Sequence, residues 1–180
     1  ILLILTVRTG WNLSYNNGDV PIEMLVYTQT TPDLARLAAS LEESDTTVTV
    51  IIDSTNGFNW PWHWYLRNND RASFISYDSS SLDNPPDASV LVIHSNNQTT
   101  NDPILLEQYG EGTPIKHRWW FPESYRGLTP AKLLKGLVNR DSWRIAKDYF
   151  LHRKLHSSIG SEDAYVYFAR GFSSTFGASH

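Results

Sequence analysis

The sequence predicts an α/β fold: a three-layer sandwich with a mostly parallel sheet of about five to six strands, preceded by the end of a transmembrane helix. Three observations predict it. Short β-branched runs alternate with segments whose apolar residues recur every three to four positions, the pattern of strands interleaved with helices. The run at 89–93 is near-continuously apolar, as a strand of a sheet buried on both faces requires. An apolar stub also opens the chain just before an arginine and two aromatic residues, as at the exit of a membrane helix.

The stub is Ile1-Leu2-Leu3-Ile4-Leu5-Thr6-Val7, followed by Arg8. It is too short to cross a hydrocarbon core, which takes about 20 helical residues. With no Met at position 1, it reads as the last turns of a helix that starts upstream, in a processed or longer chain. Arg8 then snorkels to the headgroups while Trp11 and Tyr15 sit in the aromatic belt. A buried first strand is the competing reading.

Met24-Leu25-Val26-Tyr27 reads as a buried strand, and Thr30-Thr31-Pro32-Asp33 then supplies a hydroxyl cap, a first-turn proline and a first-turn acid. The helix that follows places Leu34, Leu37, Ala38 and Leu41 on one face. Residues 47–52 form a β-branched strand closing at Asp53. After Asn56-Gly57 come an aromatic segment at 60–66, a strand at 72–77, a polar loop at 79–87 and the strand at 89–93. Asp102-Pro103 starts a short helix running to 109, with Gly110 and Gly112 as stops, and 115–121 returns as a strand. Thr129-Pro130 opens a helix carrying Leu133, Leu134, Leu137 and Val138, and Asp141 begins another carrying Trp143, Ala146, Tyr149 and Phe150. The last strand is 164–169. The organisation is therefore a membrane-helix end and juxtamembrane segment at 1–16, one α/β domain at 17–170 and a frayed tail at 171–180, with no repeat and no dividing linker.

Composition narrows the function classes. In 180 residues, 41% hydrophobic and 19% charged is the profile of a globular chain, and a net charge of −4 with scattered Lys and Arg lacks the footprint of a nucleic-acid binder. Cysteine is absent, which removes disulfides and thiolate chemistry. Aromatic residues reach 13%, with seven Trp and nine Tyr gathered in a few places.

No catalytic signature occurs. The strand-to-helix turn Thr28-Gln29-Thr30-Thr31 has no glycine to admit a pyrophosphate, no G-x-S-x-G elbow is present, and no cofactor is implied. His152 and His156 stand four apart on the expected last helix, but no acidic third ligand accompanies them, so no metal site is assigned. Ligands of open α/β sheets sit beyond the carboxyl ends of strands, where this chain carries Gln29 and Thr30, then Asp53, Asp78 and His94. Such groups would hydrogen-bond a sugar or headgroup, or serve as ordinary polar caps. Two aromatic constellations complete the candidates: Trp60, Trp62, Trp64, Tyr65 and Arg67, and then Arg118, Trp119 and Trp120 beside His117. Three readings stay open for them: a stacking platform for a glycan, a hydrophobic cluster, or a surface lying on lipid headgroups.

The stretch "VYTQTTPD" at 26–33 and "WPWHWYLRN" at 60–68, with "EDAYVYFAR" at 162–170, resembles the C-terminal soluble region of bacterial and archaeal GT-C-type membrane glycosyltransferases, relatives of protein mannosyltransferases and aminoarabinose transferases. The resemblance implies a polyprenyl-phosphate-linked sugar as donor and transfer at the cell membrane, with this domain on the extracytoplasmic side. It also implies a catalytic acid in an early loop between membrane helices, which these residues do not contain, so no catalytic residue is carried over. The expected role is an accessory domain that positions donor or glycan acceptor, with membrane lipid as a further partner. The alternative is a non-enzymatic, membrane-anchored subunit contacting other membrane proteins.

Overall fold

A computed structural model describes residues 2–16, 19–23, 28–77 and 84–171. The expected strand at Met24-Leu25-Val26-Tyr27, Asp78, part of the 79–87 loop and almost all of the tail lie outside the described residues. The chain separates into two compact units, one of residues 1–29 and 118–161, the other of 30–117 and 162–180. The boundaries fall after residues 29, 117 and 161, where the sequence reading draws no division.

The α/β class and the strand number agree with the sequence reading. Six strands, β1 (Gln29–Thr30), β2 (Val50–Asp53), β3 (Ala72–Ile75), β4 (Val90–His94), β5 (Thr113–Trp120) and β6 (Gly160–Phe168), form one sheet in the order β1-β5-β6-β4-β2-β3. The sheet is mixed. β2 runs parallel to β3 and β4, with Ile52 opposite Phe74 and Val92, whereas β6 runs antiparallel to β4, with Val166 opposite Val92. Sequence periodicity reports which residues are apolar and not which way a strand enters the sheet, so this reversal was not readable.

Helix α2 (Pro32–Glu42) forms as its sequence dictates. Thr31 is its N-cap and accepts from the Leu34 N–H at 3.4 Å, Pro32 takes the first turn, and Leu34, Leu37, Ala38 and Leu41 are all buried. They pack with Val50, Ile52, Val90 and Val92 in one apolar cluster. The alternate strand residues Ile51, Leu91 and Ile93 pack with Leu105, Tyr109 and Tyr167 in a second. Period-two alternation thus delivers both faces of the sheet to cover.

Helix α4 (Ser95–Gln108) corrects the expectation of a helix opening at Asp102-Pro103, because it begins seven residues earlier with Pro103 inside it. His94 is its cap, its ring nitrogen accepting from the Asn96 N–H at 2.9 Å. Histidine is not among the usual capping residues, and the proline at a plausible first turn looks like a start. The helix tolerates Pro103 at the loss of one backbone bond, and Gly110, at φ +98, turns the chain out beyond it.

In the other unit, α1 (Leu2–Trp11) opens the chain and α5 (Pro130–Val138) and α6 (Arg140–His152) follow β5. The stub is helical, not a strand. Among the described residues no helix is long and apolar enough to cross a membrane, and α1 at ten residues spans about 15 Å, half of a hydrocarbon core. Helix α6 ends at Arg153 in the left-handed conformation, φ 54, so His156 does not share a helical face with His152; its Nε2 pairs instead with Asp148 at 3.1 Å. Arg153 anchors the unit, with Nε donating to Glu23 at 2.5 Å and Nη2 to Thr9 at 3.0 Å, beside the Tyr149 hydroxyl that donates to the Ile22 carbonyl.

Two outcomes follow for stability. Thr31 both caps α2 and donates to the Lys116 carbonyl in a buried position, whereas Thr129 caps α5 in the open. Thr31→Ala is therefore expected to cost about 2 kcal/mol and Thr129→Ala under about 1 kcal/mol in urea denaturation. Burial, reinforced by the Asp53 and Tyr109 charges, pushes the Tyr77 phenol from 10.0 up to about 12. An unfolded phenol then gives up its proton first, so stability is full below pH 10 and falls as pH rises toward 12. Tyr77→Phe should flatten that part of the stability profile.

Candidate functional site

The carboxyl ends of β2 and β4 meet in a buried polar centre. Asp53 closes β2 and is fully buried. Its Oδ1 accepts from the Thr55 N–H at 2.9 Å and the Thr55 hydroxyl at 2.6 Å, the local bond by which an aspartate turns the chain out of a strand. Its Oδ2 accepts from the His94 N–H at 3.2 Å and the Asn97 amide at 2.7 Å. One carboxylate therefore fixes the turn after β2, the end of β4 and the first turn of α4.

The His94 ring extends this centre. Because Nδ1 accepts the Asn96 N–H, Nε2 must carry the hydrogen, and it donates to Glu162 Oε1 at 3.2 Å. Glu162, on β6, turns its other oxygen to His117 Nδ1 on β5 at 2.9 Å. Rings close around the group: Phe58 lies 4.1 Å from the His117 ring and 4.9 Å from His94, and Trp62 stacks on His117 at 6.2 Å and 13°. Each oxygen of the Glu162 carboxylate faces one histidine. Thr55 Oγ1 is engaged by Asp53, by Asn97 at 3.0 Å and by the Tyr77 N–H at 3.2 Å, and among the described residues no imidazole is placed to activate it. Its chemistry is that of a clamp joining four elements. Among the described residues no group of three His, Cys, Asp or Glu is placed to hold a metal ion.

Of the sequence-predicted residues, the structure brings Asp53 and His94 together here. Gln29 and Thr30 form β1 at one edge of the sheet, half-buried. The first aromatic constellation separates. Residues 62–65 form a helical turn, α3 (Trp62–Tyr65), after a cis Trp60–Pro61 bond, and alternate positions that would share a strand face point apart on a helix. Trp62 is buried at 0% exposure and Tyr65 packs half-buried against the same core, while Trp60 and Trp64 stand 56% and 58% exposed. Arg67 lies over the Trp64 ring at 4.6 Å and donates to its carbonyl at 2.7 Å. Arg118, Trp119 and Trp120 are half-buried on β5, where Trp120 lies so close to Gly160 that a Cβ there would meet its indole at 2.2 Å. Sequence reasoning missed Thr55, Asn97 and Glu162. Only their places after strand ends or at a strand start signalled them.

The unit of residues 1–29 and 118–161 carries a different feature. Its helices expose Leu3, Ile4, Val7 and Trp11 on α1, Leu133, Leu134, Leu137 and Val138 on α5, and Trp143, Ile145, Phe150 and Leu151 on α6. None of the residues of α5 is buried. The same unit holds ten Lys and Arg against five Asp and Glu, a net of +5, whereas the other unit carries −9. An apolar groove of about 610 Å³ opens in it, lined by Tyr149 and Ala146 among others, with Lys154 and His156 also in its lining. Compared with protein-family models, curated proteins and solved structures, the chain matches none.

The burial contrast separates a core ring from surface rings in the Trp segment. Trp62→Ala is expected to cost about 3–5 kcal/mol, and Trp60→Ala or Trp64→Ala within about 0.5 kcal/mol, in equilibrium urea unfolding.

Proposed function

We propose that this chain is a membrane-apposed accessory domain of a glycosyltransferase that uses a polyprenyl-phosphate-linked sugar, acting on the extracytoplasmic side to position donor or acceptor. The observation that carries the reading is the coincidence, in one unit, of exposed apolar helices and a net charge of +5. Each exposed Leu or Val that enters lipid or a membrane-embedded partner contributes about 1.5–3 kcal/mol, and each Lys or Arg near an anionic surface about 1 kcal/mol. The opening helix α1, with Trp11 and Tyr15 in ring contact at 4.5 Å beyond Arg8, suits the edge of a bilayer. The glycosyltransferase part rests on the resemblance carried by residues 26–33 and 60–68. Exposed Trp64 under Arg67, with Trp60 nearby in sequence, is the part of that motif open to a glycan.

The engagement of both oxygens of the Asp53 and of the Glu162 carboxylate favours a second reading, a non-enzymatic subunit whose exposed helices seat against other membrane proteins. For the fold, we read the unit of residues 30–117 and 162–180 as three layers about a mostly parallel sheet, supported by the two apolar clusters drawn from alternate strand residues and by the parallel β3-β2-β4 pairing.

Co-sedimentation with vesicles tests the reading. The chain is expected to bind vesicles containing anionic lipid, more weakly at high salt, with Leu134→Asp plus Leu137→Asp lowering binding at least tenfold while circular dichroism stays native. Adding a polyprenyl phosphate to the vesicles should raise affinity further. Binding that is absent, or indifferent to the aspartates, overturns the membrane reading, and indifference to the polyprenyl phosphate leaves the non-enzymatic subunit as the better account.

A further inference from the structure

The apolar groove in the unit of residues 1–29 and 118–161 is built from the segment that follows β5, one face of α6 and the segment after α6. Phe121, Leu128, Ile145, Ala146, Tyr149 and Leu155 supply its walls. Its volume, about 610 Å³, falls in the range of small-molecule sites, roughly 300–1,000 Å³. Lys154 lies among its lining residues, and no carboxylate pairs with its ammonium among the described residues; the nearby His156 is already engaged by Asp148 at 3.1 Å. An apolar trough with an exposed cation among its lining residues has the chemistry of a tail with an anionic head.

We propose that this groove binds one acyl chain of an anionic membrane lipid, the chain lying along Ile145, Ala146 and Tyr149 and the head paired with Lys154. The proposal deepens the membrane reading: it gives that unit a specific lipid site in addition to a lipid-facing surface. The alternative occupant, an apolar side chain or helix of another protein, is an outcome of the test.

The full chain is titrated calorimetrically, below micelle concentrations, with alkyl phosphates of ten, twelve and fourteen carbons, with neutral dodecyl maltoside and with inorganic phosphate. A single site is expected whose affinity rises about fourfold per methylene until the groove is full. Lys154→Glu should weaken dodecyl phosphate at least tenfold and leave dodecyl maltoside unchanged, and Ala146→Trp should abolish both while vesicle co-sedimentation persists. A diazirine-bearing dodecyl phosphate, which needs no variant, should label residues between 121 and 157. Affinity without dependence on chain length, competition by inorganic phosphate alone, full binding by a folded Ala146→Trp variant, or labelling confined elsewhere would each overturn the site. If alkyl phosphates bind while vesicles do not, the groove stands and the membrane reading falls. If vesicles bind while alkyl phosphates do not, the groove alone falls.

Discussion

Removing a carboxylate from water costs several kcal/mol unless donors meet its oxygens, and Asp53 is fully withdrawn from solvent. Its four donors come from three places in the chain: the turn at Thr55, the backbone of His94 and the side chain of Asn97. The arrangement can form only if β2 and β4 lie in register and α4 starts immediately at the end of β4. Once α4 starts there, His94 must cap it, and capping fixes which ring nitrogen carries the hydrogen. That nitrogen then faces Glu162, and through Glu162 the ring of His117. Local turn geometry, helix start and the joining of β4, β5 and β6 are thus consequences of satisfying one buried charge.

The same dependence explains how much of the molecule its sequence disclosed. Elements fixed by short-range chemistry were legible: Thr31 and Pro32 announce α2, Thr129 and Pro130 announce α5, and the spacing of Leu34, Leu37, Ala38 and Leu41 names the buried face. Asp53 and His94 were legible as polar strand ends, the place where an α/β sheet keeps its functional groups. Their partners were not, because Asn97 and Glu162 join them only through the sheet pairing, across 44 and 68 positions of sequence. The α4 boundary misled for a related reason. A helix capped by histidine, with buried Asn97 and Asn101 on its inner face, has neither the cap residue nor the apolar stripe that marks a helix from sequence.

The Trp segment shows where periodicity itself was ambiguous. Three tryptophans at alternate positions share one face of a strand, but in a helical turn they diverge, and sequence alone does not choose between the two. Packing chooses. Trp62 fills the core beside Phe58 and His117, which leaves Trp60 and Trp64 exposed and Arg67 lying over the latter. What reads as one aromatic motif therefore divides into a structural ring and two surface rings.

Helix α5 poses the remaining physical question, since a nine-residue helix with no buried residue is marginal in water by itself. Its Thr129 cap and the bond from the Trp143 indole to the Leu137 carbonyl, at 2.7 Å, secure its ends, but they bury little apolar area. Four large apolar side chains on it face out between Lys132, Lys135 and Arg140. A sequence that needed only solubility would place polar residues there, as the outer face of α2 does with Arg36 and Glu42. A cover that is apolar at the leucines and tolerant of cations at the lysines would relieve that exposure, and an anionic lipid surface, the partner proposed above, meets both conditions at once.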